Sequence, residues 1–300
     1  MAERIHLISP YQLTQTDDPF PLDLYGLRLL AQGDSWFSIG AIPPTRTTNV
    51  LQELRLQRSA VAVNCAAPGA VLRHMVDSVR APLFRQLLSG NLARTWDAVL
   101  ISGGGNDLID ALQVGPTADV KDRMLLTAAE VTSPGDPAAY LSEPGWDTFS
   151  VYLRHVFDDL MDLRDGRTDN RQTPLFLHNY ALLQPRPAPA GPSFGPWIYQ
   201  ALLTYGVPQA HWLPIGQLLM TRLSALLAQL IADRVASHPG VGPIRLIDTQ
   251  AAGLVLAQPG STGDSGDFAN EIHPNRGGYA KAAASWAAVL DALPGAGANG

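Results

Sequence analysis

The chain has 300 residues, of which 46% are hydrophobic and 16% charged, and its formal net charge at pH 7 is −6. This composition predicts a globular protein with a core large enough for one large domain or two small ones. No cluster of Lys or Arg is available to neutralise phosphates, which argues against a nucleic acid or an anionic membrane as partner. The single cysteine, Cys65, excludes an internal disulfide.

The amino-terminal residues, from Met1 to His6, contain no apolar signal-peptide core. No uninterrupted apolar segment reaches the roughly 18 residues that a membrane-spanning helix requires. We therefore expect a cytoplasmic protein without a transmembrane segment.

Five short apolar segments are predicted to be strands, and none of them alternates cleanly between apolar and polar residues. They are 27–32, 59–64, 97–102, 174–179 and 243–248. This pattern is typical of strands that are buried on both faces of a parallel sheet. Helical spacing fills the gaps between them, at 50–57 after the candidate cap Asn49, and at 72–79, 147–163, 215–236 and 277–292. The alternation predicts a doubly wound α/β sheet of about five strands in a single domain, 1–300.

One long apolar stretch, the carboxyl-terminal tail and two long insertions depart from this simple alternation. Polar residues interrupt the long apolar stretch 215–236, which therefore indicates a helix packed on the core rather than a membrane span. The tail 294–300 is small and polar enough to be disordered. Two insertions, at about 107–146 with a helical piece over 122–131 and at about 182–214, are longer than the usual loops of such a sheet.

Both insertions follow strands and should lie at the carboxyl edge of the sheet. They are either walls of a substrate site or surface loops whose aromatic side chains pack on the body of the protein. The candidate wall residues are Trp36, Phe194, Trp197 and Tyr199.

Polar residues follow the first and third predicted strands directly. The first strand ends in Gly33-Asp34-Ser35, which places a serine hydroxyl at the edge where open α/β sheets carry their chemistry. The same tripeptide is also ordinary turn chemistry. The third strand ends in Gly103-Gly104-Gly105-Asn106-Asp107, where Asn106 presents an amide donor suited to an oxyanion site. No Lys-Ser or Lys-Thr follows the glycines, so a phosphate-binding loop is excluded.

Two further residues are predicted at the same edge. Gly69 should open the helix after the second strand, with a backbone N–H free to bind negative charge. His273 lies between the last strand and the last helix, with carboxylates nearby, and it is the histidine best placed for proton transfer. No group of His, Asp and Glu has the spacing of metal ligands.

In this order, the motifs resemble those of the SGNH hydrolases, the GDSL esterase/lipase superfamily. Gly33-Asp34-Ser35 matches the first block, Gly69 the glycine of the second and Gly104-Gly105-Asn106-Asp107 the third. The last block, Asp-x-x-His, is matched at His273, but Asn270 stands where the family has the acid. The resemblance covers most of the chain, from Gly33 to about residue 280.

The resemblance implies a flavodoxin-like three-layer α/β/α sandwich and hydrolysis of esters without a cofactor. Ser35 would be the nucleophile and His273 the general base, with an acyl-enzyme as intermediate. The backbone N–H groups of Ser35 and Gly69 and the side chain of Asn106 would hold the oxyanion. Asp34 and Asp107 are interpreted as structural residues that bond nearby turns.

Because Asn270 stands where the family has an acid, the identity of the group that orients His273 is left open. Position 270 is the orienter by alignment, Asp267 is an alternative, and Glu271 or a backbone carbonyl are others. The expected substrate is a small-molecule ester: an acyl ester, an acetylated sugar or a lysolipid. The alternatives are a non-catalytic ligand-binding module on the same fold and an acyltransferase that uses the same residues.

Overall fold

The computed structural model describes residues 2–15, 20–40, 47–166 and 169–294. Its strands are β1 Glu3–Arg4, β2 His6–Ile8, β3 Leu27–Gly33, β4 Arg55–Leu56, β5 Ala60–Asn64, β6 Ala98–Ser102, β7 Leu175–His178 and β8 Ile244–Ile247. Six of them form one sheet in the order β2-β5-β3-β6-β7-β8, and every pairing in it is parallel. Strands β1 and β4 pair separately as a short antiparallel ribbon.

Helices flank this sheet. They are α1 Ser35–Ser38, α2 Val50–Glu53, α3 Leu72–Met75, α4 Pro82–Ser89, α5 Gly105–Leu112, α6 Glu143–Asp165, α7 Ile198–Thr204, α8 Trp212–Ser237 and α9 Arg276–Leu290. Helix α6 packs against α3, α4, α5 and α8, whereas α9 packs against α2 and β4. The predicted α/β architecture with a central parallel sheet is confirmed.

All five predicted strands are present, and the sheet has one more. Strand β2 lies at the edge and pairs with β5 from His6 to Ile8. It has three residues, of which only Ile8 is buried. A segment that short carries no clear periodicity, so no pattern in the sequence predicted this strand.

The helix boundaries differ from those expected. The side chain of Asn49 does cap a helix by accepting from the Gln52 N–H at 3.0 Å, but α2 ends at Glu53. Helix α3 ends at Met75 rather than continuing to residue 79. The carboxylate of Asp77 accepts from the N–H of Val79 at 2.6 Å and forms a turn there.

The helical piece predicted within the first insertion is not formed, and the helix in this range lies elsewhere. Only Asp122 of the stretch 122–131 is helical, as the last residue of the short 3-10 helix Val120–Asp122, and Leu125 pairs with Leu141 in an antiparallel bridge. The buried guanidinium of Arg123 is ion-paired with Glu130 and closes this stretch into a loop. Helix α5 occupies the first residues of the range 107–146 and α6 the last. Apart from Pro294, the tail 294–300 lies outside the described residues.

Helix α8 and the turn before it, Gln209–Ser237, form a stretch long and apolar enough by composition to cross a membrane. Within α8, the buried side chains that join the core include Leu219, Leu223 and Leu227. Arg234, on the same helix, is ion-paired with Asp165 at 2.7 Å. This packing is what the sequence predicts for a core helix, and the cytoplasmic location stays a prediction.

Strand register determines which residues meet at the carboxyl edge. Gly33 of β3 lies beside Ser102 of β6, and Ala31 lies beside Asn64 of β5. At Gly33 the two strands approach so closely that a Cβ would lie 2.7 Å from the Ser102 Cβ. Only glycine fits this position, and the chain turns directly after it.

Candidate active site

Ser35 begins helix α1, immediately after the end of β3. The carboxylate of Asp34 caps this helix by accepting from the Trp36 N–H at 2.9 Å. The capped turn holds Ser35 as the first helical residue, and its side chain is 7% exposed. A short strand-to-helix turn therefore presents the hydroxyl at the sheet edge.

Asp34 is the centre of a buried hydrogen-bond network beneath the turn. Its carboxylate also accepts from the Ser102 hydroxyl at 2.7 Å and from the Tyr180 hydroxyl. Nε2 of His178 lies 2.8 Å from the Ser102 oxygen. Burial raises the pKa of Asp34 to about 6, against the lowering effect of these hydrogen bonds. The structural interpretation of Asp34 agrees with these contacts.

His273 faces Ser35 from the loop between β8 and α9. Its Nε2 lies 2.7 Å from the Ser35 Oγ, and its Nδ1 lies 3.0 Å from the side-chain oxygen of Asn270. That oxygen also accepts from the N–H groups of His273 at 2.9 Å and Ile272 at 3.1 Å. These backbone donors identify the atom as the oxygen, so Nδ1 carries the proton and Nε2 is left to accept from Ser35.

The three carboxylate or amide side chains considered as orienters point to different places. Asn270 contacts the imidazole. Asp267 accepts from Lys281 Nζ and from the Val255 N–H, both at 2.6 Å. Glu271 accepts from three consecutive backbone N–H groups at the start of α7. The structure therefore brings Asn270 to His273 and directs Asp267 and Glu271 elsewhere.

The imidazole of His273 is buried, and among the described residues no carboxylate lies close enough to favour its charged form. Burial lowers the pKa of His273 to about 4. A neutral imidazole is the form that can accept the proton of a serine hydroxyl.

The candidate oxyanion donors come from two loops. Asn106 lies in the first turn of α5, and its side-chain amide donates to the Ala70 carbonyl at 3.1 Å. Gly69 does not open a helix, because α3 begins at Leu72. It is an exposed turn residue with φ of +74°, a conformation that glycine adopts without strain.

Asp107 connects the same two loops. One carboxylate oxygen accepts from the Leu72 N–H at 3.0 Å and the other from the Tyr152 hydroxyl at 2.9 Å. Burial raises its pKa. The contact with Leu72 ties the segment after Gly69 to α5, in agreement with the structural interpretation of Asp107.

A cavity opens beside Ser35, with about 400 Å³ of empty space including its open mouth. Ser35 and Asn106 lie in its wall. Its apolar lining consists of Trp36, Ile109, Ala181, Leu183, Ile198, Met220 and Ile272. The second insertion thus contributes aliphatic residues to the wall.

Three of the four aromatic residues expected in the wall lie elsewhere. Phe194 is 67% exposed. Trp197 makes an edge-to-face contact with His273, with ring centroids 5.8 Å apart. Tyr199 packs in the same manner on Trp212 at 5.1 Å. Trp36 alone of the four lines the cavity.

Two residues around the site, Tyr180 and Arg186, and the role of a third, Glu271, were not predicted from the sequence. Tyr180 supports Asp34, and Arg186 and Glu271 connect the second insertion to the loop of His273. Tyr180 and Arg186 had no local signal, because their partners are distant in the chain. Glu271 was considered only as an orienter. Within the residues that the structure describes, no group of three or more His, Cys, Asp or Glu could hold a metal ion.

The chain matches no protein-family model and no curated protein. It is similar to the extracellular lipase of Streptomyces rimosus, with 15% identity, a TM-score of 0.47 and coverage of 89% of this chain and 100% of the lipase. It is also similar to phospholipase A1 of Streptomyces albidoflavus, with 15% identity, a TM-score of 0.45 and coverage of 90% of this chain and 100% of the phospholipase. A third similar structure is a putative SGNH hydrolase of Slackia heliotrinireducens, with 16% identity, a TM-score of 0.39 and coverage of 88% of this chain and 99% of that protein. All three likenesses are distant.

Proposed function

We propose that the protein is a serine carboxylic-ester hydrolase of the SGNH type. The observation that carries this proposal is the contact of 2.7 Å between Ser35 Oγ and His273 Nε2, with Nδ1 of the same ring held at 3.0 Å by Asn270. A nucleophile, a base and a group that orients the base are thereby aligned in hydrogen-bond contact. The apolar cavity beside Ser35 provides space for a substrate.

In the first half-reaction, His273 Nε2 takes the hydroxyl proton as Ser35 Oγ attacks the acyl carbon. The carbonyl electrons move to oxygen, and the N–H groups of Ser35 and Gly69 and the amide of Asn106 are the proposed donors to that oxyanion. One amide proton of Asn106 is directed to Ala70, so the second is the one that would serve the oxyanion. Collapse of the intermediate expels the alcohol, which receives the proton from His273.

In the second half-reaction, water attacks the acyl-enzyme and His273 accepts its proton. The second tetrahedral intermediate releases the carboxylic acid, and the proton returns to Ser35. These steps require no electron transfer and no cofactor.

The lining of the cavity favours a neutral, aliphatic acyl group. Its wall includes Ile109, Leu183 and Ile198, whereas Asp34 is engaged by its own hydrogen-bond partners. An apolar wall with few polar groups orients an apolar ligand and disfavours a charged one. The wall therefore fits the acyl part of the ester, whichever of the expected alcohols that ester carries.

Labelling by a fluorophosphonate tests the nucleophile, and Ser38 provides the matched control. Ser38 lies in the same helix, is 8% exposed and donates to the Asp34 carbonyl at 2.7 Å. We expect Ser35→Ala to abolish labelling and hydrolysis of p-nitrophenyl esters, and Ser38→Ala to retain both. Failure of the wild-type protein to label would overturn the proposal and favour a binding module. Transfer of the acyl group to a competing alcohol in preference to water would indicate an acyltransferase.

A further inference from the structure

The loop that carries Asn270 and His273 has almost no regular structure of its own. Between the short turn that ends at Ala252 and helix α9, residues 253–275 form only isolated bridges. The position of the imidazole relative to Ser35 therefore depends on contacts between this loop and the rest of the protein. Two buried, charged side chains provide such contacts and have no part in the proton transfers above.

Arg186, in the second insertion, reaches into the loop and is 0% exposed. Its Nη1 donates to the Ser261 carbonyl and hydroxyl, both at 3.1 Å, and to the Gly263 carbonyl at 2.6 Å. Its Nη2 donates to the carbonyls of Phe268 at 3.2 Å and Asn270 at 2.7 Å. The planar guanidinium thus joins the first half of the loop to the half that carries the active-site residues.

The burial of Arg186 is energetically costly. Its hydrogen-bond partners are all neutral, and within the described residues its Nε is buried without a partner. Removing a cation from water is unfavourable unless its new contacts offset the loss. The contacts that offset it here all belong to the loop of His273.

Glu271 makes the reverse connection, from the loop to the insertion. Its carboxylate accepts from the backbone N–H groups of Trp197 at 2.5 Å, Ile198 at 3.1 Å and Tyr199 at 2.6 Å. Its own N–H donates to the Ala188 carbonyl at 2.9 Å. No side chain of the insertion caps the start of α7, so Glu271 takes that role.

We propose that Arg186 and Glu271 form a reciprocal clamp that fixes the loop of His273 to the second insertion, and that both are positioning residues for the Ser35–His273 pair. The clamp deepens the proposed function and rests on it. Ile198 and Ile272 both line the cavity. The N–H of Ile198 donates to Glu271, and Ile272 follows Glu271 in the chain. The contacts of Glu271 thus lie next to the acyl wall, and those of Arg186 and Glu271 together hold the loop that carries the base.

The first test compares Arg186→Lys with Arg164→Lys. Arg164 is also 0% exposed and donates to the carbonyls of Thr173 and Gly242, next to the amino ends of β7 and β8 and far from the site. One ammonium cannot bridge both halves of the loop. We expect Arg186→Lys to lower kcat about 10- to 100-fold with KM changed less than about threefold. Amide exchange over 261–273 should become faster, whereas Arg164→Lys should retain both kcat per folded molecule and that protection.

The second test uses Glu271→Gln, with Glu143→Gln as control because Glu143 is exposed and paired with Arg222 on the surface. The uncharged amide has one acceptor oxygen in place of two, so the amides of 197–199 should exchange faster and kcat should fall. Unchanged exchange in both clamp variants, or an equal loss of kcat in the Arg164 control, would overturn the clamp. Inactivity of the wild-type protein on esters would refute the proposed hydrolase function. Amide exchange needs no substrate, so the exchange data would still test whether Arg186 and Glu271 hold the loop.

Discussion

The Nδ1 atom of His273 lies 3.0 Å from the side-chain oxygen of Asn270, at the position where the motif of the SGNH hydrolases has an aspartate. An amide oxygen can hold the tautomer and orientation of the ring, but it contributes no negative charge to an imidazolium. In trypsin-like proteases, replacing the orienting aspartate by asparagine costs about four orders of magnitude in kcat, because the wrong tautomer results. In this protein the tautomer is retained, so only the charge is missing.

Restoring that charge should therefore accelerate the reaction. We expect Asn270→Asp to raise kcat on p-nitrophenyl esters by about tenfold or more, because a carboxylate stabilises the imidazolium formed in the transition state. Asn270→Ala should lower kcat at least about 100-fold, since the ring is no longer oriented. Asp267→Ala is the control and should leave kcat close to wild type, because Asp267 pairs with Lys281. A large loss in the control and none in Asn270→Ala would refute this assignment.

The pH dependence of kcat/KM should reflect the burial of His273. Its pKa is lowered to about 4, and only the neutral imidazole can accept a proton. Activity should therefore persist as the pH falls below the ordinary histidine value of about 6.5, and decline only toward pH 4. In Asn270→Asp the midpoint should move upward, because a nearby carboxylate favours the charged ring. A wild-type midpoint at or above the ordinary value would contradict this expectation.

Tyr180→Phe should destabilise the protein, and more strongly at high pH. The Tyr180 hydroxyl donates to Asp34, whose folded-state pKa is raised to about 6. A raised pKa means that stability from this group is complete at low pH and is lost as the pH rises through that value. Without the hydroxyl the buried carboxylate is less favourable still, so we expect a loss of about 1 to 3 kcal/mol at about pH 8 and less at about pH 5.

Urea unfolding at the two pH values measures this difference, with Tyr11→Phe as control because Tyr11 is 69% exposed. An effect of Tyr180→Phe that is equal at both values would show that the hydroxyl does not act through the charge of Asp34.

Gly33→Ala should destabilise the sheet next to the nucleophile. The added Cβ would lie 2.7 Å from the Ser102 Cβ and 2.9 Å from the Ser102 carbonyl oxygen, between two central strands. We expect a loss of about 1 to 3 kcal/mol in the free energy of unfolding. Gly115→Ala is the matched control, since a Cβ there meets nothing within 4 Å. Equal losses in both variants would argue against the close approach of β3 and β6.

Much of the fold could be predicted from the sequence because its signals are local. Each of the five apolar runs became a strand of the sheet, and Asn49 caps a helix as its neighbours indicated. The failures are also physical. The apolar spacing at 72–79 was overridden by a turn at Asp77, and Gly69 became an exposed turn residue. Aromatic residues of the second insertion pack on one another rather than lining the cavity.

The sequence by itself determined which chemical groups arrive at the carboxyl edge. Parallel strands end at the same edge of a sheet, so the residues directly after each strand, Ser35 and Asn106 among them, must gather there. Tertiary structure decided which group orients His273, because three candidates lie within six residues of it and their order in the chain does not show which one contacts the ring. Tyr180, Arg186 and Glu271 gained their roles in the same way, through contacts with residues distant in the chain that no local pattern records.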